Sequence, residues 1–182
     1  VIIGNITIQN GNGVDADNGS TVLVEGNISA PSAGITAYNA SYVTVLGDIT
    51  TQNNNGIIID GVSTAYVEGN IYAGAHIVQA YGQSSVTVNG NGEGQLGLSN
   101  NGTEVTITGD VTTQYTLYTM YSVGVTNIGG NVTVANGEGI CAESSAEVNI
   151  GGNVTVTNGT GVCSIDGSTV TIDGILAASP YI

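Results

Sequence analysis

The chain of 182 residues has no lysine, no arginine, no phenylalanine and no tryptophan, and only one histidine, one methionine, two prolines and two cysteines. Fourteen acidic residues stand against no fixed cation, so the formal net charge at pH 7 is −14. Binding to nucleic acid draws on Lys and Arg to displace counterions from phosphate, so no nucleic-acid partner is expected. Anionic membranes are disfavoured for the same reason. Trypsin has no site to cut, and His76 is the only side chain that can pair with a carboxylate as a cation. No apolar run reaches the roughly 18 residues of a membrane helix, so no span is expected in this segment. The chain begins at Val1 without a visible signal peptide, which suggests a mature form or an excised segment.

What is abundant is glycine, at 29 residues, with many Asn, Thr and Ser around short runs of Val and Ile. That is the composition of short strands and tight turns. The run from Gly130 to Asp173 states one pattern twice at an offset of 22 residues: Val132 and Val134 answer Val154 and Val156, Ile140 answers Val162, and Cys141 answers Cys163. Extended over the whole chain, glycine markers at Gly4, Gly26, Gly47, Gly69, Gly90, Gly109, Gly130 and Gly152 open eight units of 19 to 22 residues, with a partial unit from Gly174. Nothing interrupts them, so residues 1–182 are read as one domain.

Each unit holds three short runs with the strand period of two. The inward positions of the first run include Ile6/Ile8, Ile28/Ala30 and Ile49/Thr51. Those of the second include Ile57/Ile59, Val78/Ala80, Leu96/Leu98, Tyr118/Met120 and Ile140/Ala142. Those of the third include Val43/Val45, Val86/Val88 and Val148/Ile150. The spacing of three and four that a helix needs is nowhere sustained. The expected fold is therefore all-β: a parallel β-helix, or β-solenoid, of about eight coils with three short strands each. Coils stacked at about 4.8 Å would make a rod roughly 40 Å long. A right-handed coil is expected, because a left-handed hexapeptide helix favours shorter units.

The corner column Asn5, Asn27, Asp48, Asn70, Asn91, Asp110, Asn131 and Asn153 is expected to take left-handed backbone angles and to form a ladder of stacked side chains. It also contributes to eight Asn-x-Ser/Thr sequons, a coincidence of Asn corners preceding Thr-rich strands. In the short unit from Gly90, Gly92 replaces the first-strand Ile. Large residues nearby, with Tyr115, Tyr118 and Tyr121 around Met120, are expected to fill the space. Cys141 and Cys163 should lie one above the other on the outer face, close enough for a disulfide. His76 is read as a surface turn residue, and Asp15-x-Asp17 as a solvated acidic face rather than a calcium loop. Neither a metal site nor a cofactor is expected. The outward Tyr38, Tyr42, Tyr66, Tyr72, Tyr81 and Tyr121 could stack on sugars. Outward Thr columns invite an ice-binding reading, but Leu23, Tyr66 and Asn127 interrupt them on the third strand.

The G-[ND]-[IV]-[TS] corner and the S-x-V-T-V strand resemble the repeat region of right-handed parallel β-helix proteins of bacterial and archaeal surfaces, adhesins among them, over nearly the whole chain. The resemblance implies an extracellular or cell-surface setting. It also brings to mind the pectin lyase and polygalacturonase-like enzymes of this fold, for which an Arg base or clustered carboxylates with basic clamps would be expected. The absence of Lys and Arg, and acids scattered singly, give no catalytic residue to name, so the chain is read as no enzyme. The expected function is structural: a stiff stalk or a filament subunit stacking end to end with itself or with flanking repeats. A glycan-binding adhesin segment is the alternative; a polysaccharide-active enzyme or an ice binder is more distant.

Overall fold

A computed structural model describes residues 1–119 and 124–179, and every regular element among them is a β-strand. The strands stack as parallel neighbours into coils, so the fold is a β-solenoid of about eight turns. The first column begins with Ile6–Thr7, Ile28–Ala30 and Ile49–Thr51. Its register runs Ile6, Ile28, Ile49, Ile71, Gly92, Val111, Val132, Val154 and Leu176. The third column forms its own sheet of 8 strands from Thr21–Val24 to Thr169–Ile172. The first two columns merge into one sheet of 13 strands among the described residues. They merge because Ile71–Tyr81, Gly92–Asn101, Val132–Ala142 and Val154–Ser164 run round the first corner without a break.

The inward side chains of all three columns make one continuous apolar core from Val14 to Val156. Alternation alone produces it: Val43 and Val45 are buried while Tyr42 is exposed on the same strand. Inward hydroxyls are satisfied locally. Thr51 Oγ1 donates to the carbonyl of Asn54 at 2.6 Å, and Thr113 Oγ1 to that of Tyr115 at 2.6 Å. An inward threonine therefore leaves no orphan donor.

Two of the three corners solve their geometry differently. At the marker corner, each Asn or Asp side-chain oxygen accepts the backbone N–H of its counterpart in the next coil: Asn27 N–H to Asn5 at 2.9 Å, Asp48 to Asn27 at 2.8 Å, Asn70 to Asp48 at 2.7 Å, and so on to Ile175 on Asn153 at 2.8 Å. The ladder therefore runs from side chain to backbone. None of these eight residues has a positive φ, contrary to the sequence-based expectation. Among the described residues the non-glycine positive φ angles lie at the corner between the second and third columns, at Asn18, Asn39-Ala40, Val62, Gln83, Ser144-Ser145 and Asp166. Just after it runs a buried serine ladder that the sequence pattern held but did not advertise. Ser20, Ser41 and Ser63 each donate a backbone N–H to the hydroxyl of Ser41, Ser63 and Ser84 respectively, at 3.1 to 3.2 Å.

The irregular coil departs from expectation in an informative way. The second-column register sets Val78 against Leu98 and Ala80 against Asn100, so the inward pair is Leu98/Asn100 and not Leu96/Leu98. Leu117, not Tyr118, aligns with Ile140, and Met120 lies outside the described residues. The inward Asn100 is buried, and its amide donates to the carbonyls of Thr103 and Val125 and to Thr126 Oγ1 at 2.9 to 3.1 Å. Ile77 fills the gap left by Gly92, while Tyr115 is exposed and Tyr121 lies outside the described residues. In the preceding coils the position of Ile77 is held by Gly13, Gly34 and Gly56, where a Cβ would meet the first-column Ile of the next coil at 2.3 Å. At Gly92 the relation is reversed: a Cβ there would meet Ile77 Cγ2 at 2.9 Å. Isoleucine and glycine have exchanged places.

Candidate functional site

The outward tyrosines do not share a platform. Tyr66 lies on the third-column sheet, whereas Tyr72 and Tyr81 lie on the other. Tyr38 follows the second column, Tyr42 opens the third-column strand of the same coil, and Tyr121 lies outside the described residues. Tyr66 is already engaged: its hydroxyl donates to the Glu68 carboxylate and accepts from Asn89 Nδ2 at 2.7 Å. The bond to Glu68 holds the Tyr66 hydroxyl above its ordinary pKa.

Tyr72 has the richest surroundings. It is 42% exposed and stands in register with Glu93 of the next coil. A shallow hollow of about 320 Å³ opens beside it, lined also by Thr50, Gln52, Gln95 and Gln114. A second hollow, about 230 Å³, shares Tyr72 and Glu93 and reaches Asp110 and Thr112. A ring flanked by planar amides, hydroxyls and two carboxylates suits a ligand with C–H faces and hydroxyl edges.

His76 is a half-buried strand residue, not a turn residue. Its backbone N–H donates to Asn55 Oδ1 at 3.1 Å, its Nδ1 lies 3.3 Å from the same oxygen, and burial lowers its pKa. Asp15 and Asp17 are bonded to neutral donors of the next coil, Asp15 by the Thr36 hydroxyl and Asp17 by Asn39 Nδ2 at 2.7 Å.

Cys141 and Cys163 are register partners in Val132–Ala142 and Val154–Ser164, and the structure carries both as thiols. Cys141 occupies an outward position between Ile140 and Ala142, yet it is only 3% exposed. Cys163, Glu138 and Glu143 crowd round it, with Glu143 Oε1 3.7 Å from its sulfur. Burial first, and then Cys163 and Glu138, push the Cys141 thiol far up from its ordinary pKa. A spacing of 22 residues shows that the cysteines stack. It does not show that Glu138, three residues earlier, joins them.

Comparison with protein-family models, with curated proteins and with solved structures returns no match. Function must therefore be argued from the fold and these sites.

Proposed function

We propose that the chain is a non-enzymatic structural element of the cell exterior, a stiff rod that extends by stacking coil on coil at its ends. The observation that carries this reading is the unbroken stack: one apolar core runs from Val14 to Val156, and parallel strands join coil to coil in two sheets of 13 and 8 strands among the described residues. Each coil buries its apolar side chains against its neighbours, which makes a repeat rod stiff along its axis. Further copies or flanking repeats stacked on the same sheets would lengthen that rod, and heterologous contacts of this kind propagate into filaments. The absence of any trypsin site and of any basic substrate clamp supports an extracellular, non-catalytic role.

Electron microscopy of the untagged chain at neutral pH tests the reading. Filaments with an axial repeat of roughly 40 Å are expected, and Leu176→Asp, in register with the buried Val154, should disperse them while leaving the strand circular dichroism intact. Short dispersed rods at every concentration would overturn end-to-end stacking. A second reading, binding of a glycan, is favoured by the hollow at Tyr72. It predicts binding on a glycan array that Tyr72→Ala abolishes; an array without binding would end it.

A further inference from the structure

We propose that Cys141, Cys163 and Glu138 form a binding site for one thiophilic divalent cation of the zinc or cadmium class, bridging the seventh and eighth coils. The two sulfurs and a carboxylate oxygen of Glu138 already lie within 4.8 Å of one another. A tetrahedral zinc, with sulfur at about 2.3 Å and oxygen at about 2.0–2.2 Å, draws its ligands to roughly 3.5–3.8 Å from one another, a contraction that small side-chain rotations supply.

The backbone fixes this juxtaposition. Parallel pairing sets Cys141 directly against Cys163, so both sulfurs leave the same outer face one coil apart. Glu138 reaches them because the chain turns between it and Ile140. At that turn Gly139 packs so closely that a Cβ would meet Gly161 O at 2.4 Å and Val156 Cγ2 at 2.5 Å. The Glu138 backbone is itself held, its N–H donating to Thr116 Oγ1 at 2.9 Å. Glu143, 3.7 Å from the Cys141 sulfur, offers a fourth ligand, a second oxygen, within a short movement.

The donor chemistry selects the ion. Two sulfurs with one or two carboxylate oxygens match borderline and soft cations; calcium and magnesium would require an all-oxygen set. Cys141 is shielded while Glu138 and Cys163 are half-exposed, which leaves an entry side and room for water. No lysine or arginine exists anywhere in the chain to neutralise the cluster instead. Binding releases the thiol protons to solvent and leaves two thiolates on the metal.

The test is titration of the full reduced chain with cadmium(II), followed by thiolate-to-metal charge-transfer absorption in the near ultraviolet. Saturation at one equivalent, reversed by excess EDTA, is expected. Cys163→Ser, at the more accessible position, should abolish the band, and Glu138→Gln should keep it with affinity lowered about tenfold or more. Circular dichroism of both variants shows whether the strands persist. A reduced, folded chain that gives no band, or a band that Cys163→Ser leaves unchanged, would overturn the site. So would protein isolated without reductant whose mass lacks both thiol hydrogens, which assigns the pair to a disulfide instead.

Discussion

At the scale of single residues, two of the three corners make opposite demands. Val62 sits at φ +63° and is 59% exposed, so a β-branched side chain holds a left-handed backbone for no packing return. Its counterparts in other coils include Gly19 and Gly167. Val62→Gly should therefore stabilise the fold by about 1 kcal/mol in chemical denaturation; a loss of stability would show that the valine contributes packing that outweighs its strain. At the marker corner only a side-chain oxygen is required. Asn70 accepts the N–H of Asn91 at 2.9 Å, and Asn70→Ala should cost about 1 kcal/mol by leaving that donor unbonded. Asp48→Asn keeps the acceptor and removes a charge, so it should cost nothing, and a cost equal to that of Asn70→Ala would refute the ladder as the column's purpose. For His76 the sign follows from its lowered pKa. Below the ordinary histidine range the unfolded chain takes up a proton that the folded chain resists, so this residue lowers stability as pH falls from about 7 to 5. The difference between wild type and His76→Gln across that window isolates the contribution, and its absence would place His76 in solvent.

At the scale of the strand, the exchange of isoleucine and glycine between Ile77 and Gly92 makes a strong prediction. Ile77→Gly opens a cavity and should cost about 4 kcal/mol. Gly92→Ile overpacks the same volume and should cost about 2 kcal/mol. The double variant recreates the arrangement of Gly34 beneath Ile49, where the isoleucine methyl occupies the space a Cβ on glycine would need. Denaturation midpoints of all four proteins should give a favourable coupling of at least ~2 kcal/mol; simple additivity would mean that the two positions do not share one volume. This pair also shows what could be read in the sequence. The glycine markers and the period of two sufficed for the coils, the three columns and the third-strand register. They missed the filler of the Gly92 gap because Ile77 comes from the coil before, at a position held by glycine in the coils on either side, Gly56 and Gly97. They chose Leu96/Leu98 over Leu98/Asn100 because both pairs obey the same period, and a buried asparagine is tolerable only because its amide donates to Thr103 O, Val125 O and Thr126 Oγ1 and its oxygen accepts from Thr103 N–H. The cysteine pair was legible at its constant offset. Glu138 was not, because strand alternation fails where the chain turns at Gly139.

At the scale of the whole molecule, charge acts without the usual compensation. A net charge of −14 with no lysine or arginine leaves the carboxylates only neutral donors for partners, apart from His76 and the chain terminus. In proteins held partly by ion pairs, salt weakens attractions and repulsions together. Here it has almost only repulsion to screen. Raising sodium chloride shortens the Debye length from about 30 Å at 0.01 M to about 3 Å at 1 M, the larger figure being comparable to the length of the rod. The folded solenoid stacks its charges coil upon coil, whereas the unfolded chain spreads them, so screening favours the fold. Stability should rise by on the order of 1 kcal/mol, or roughly 2–4 °C in Tm, with most of the gain below about 0.3 M, where the Debye length changes fastest. The form of the curve separates this effect from strengthened apolar burial, which would keep growing at high salt. A melting temperature that ignores salt up to that concentration would mean that the stacked carboxylates do not feel one another. A melting temperature that falls would require attractive ion pairs that this composition cannot supply.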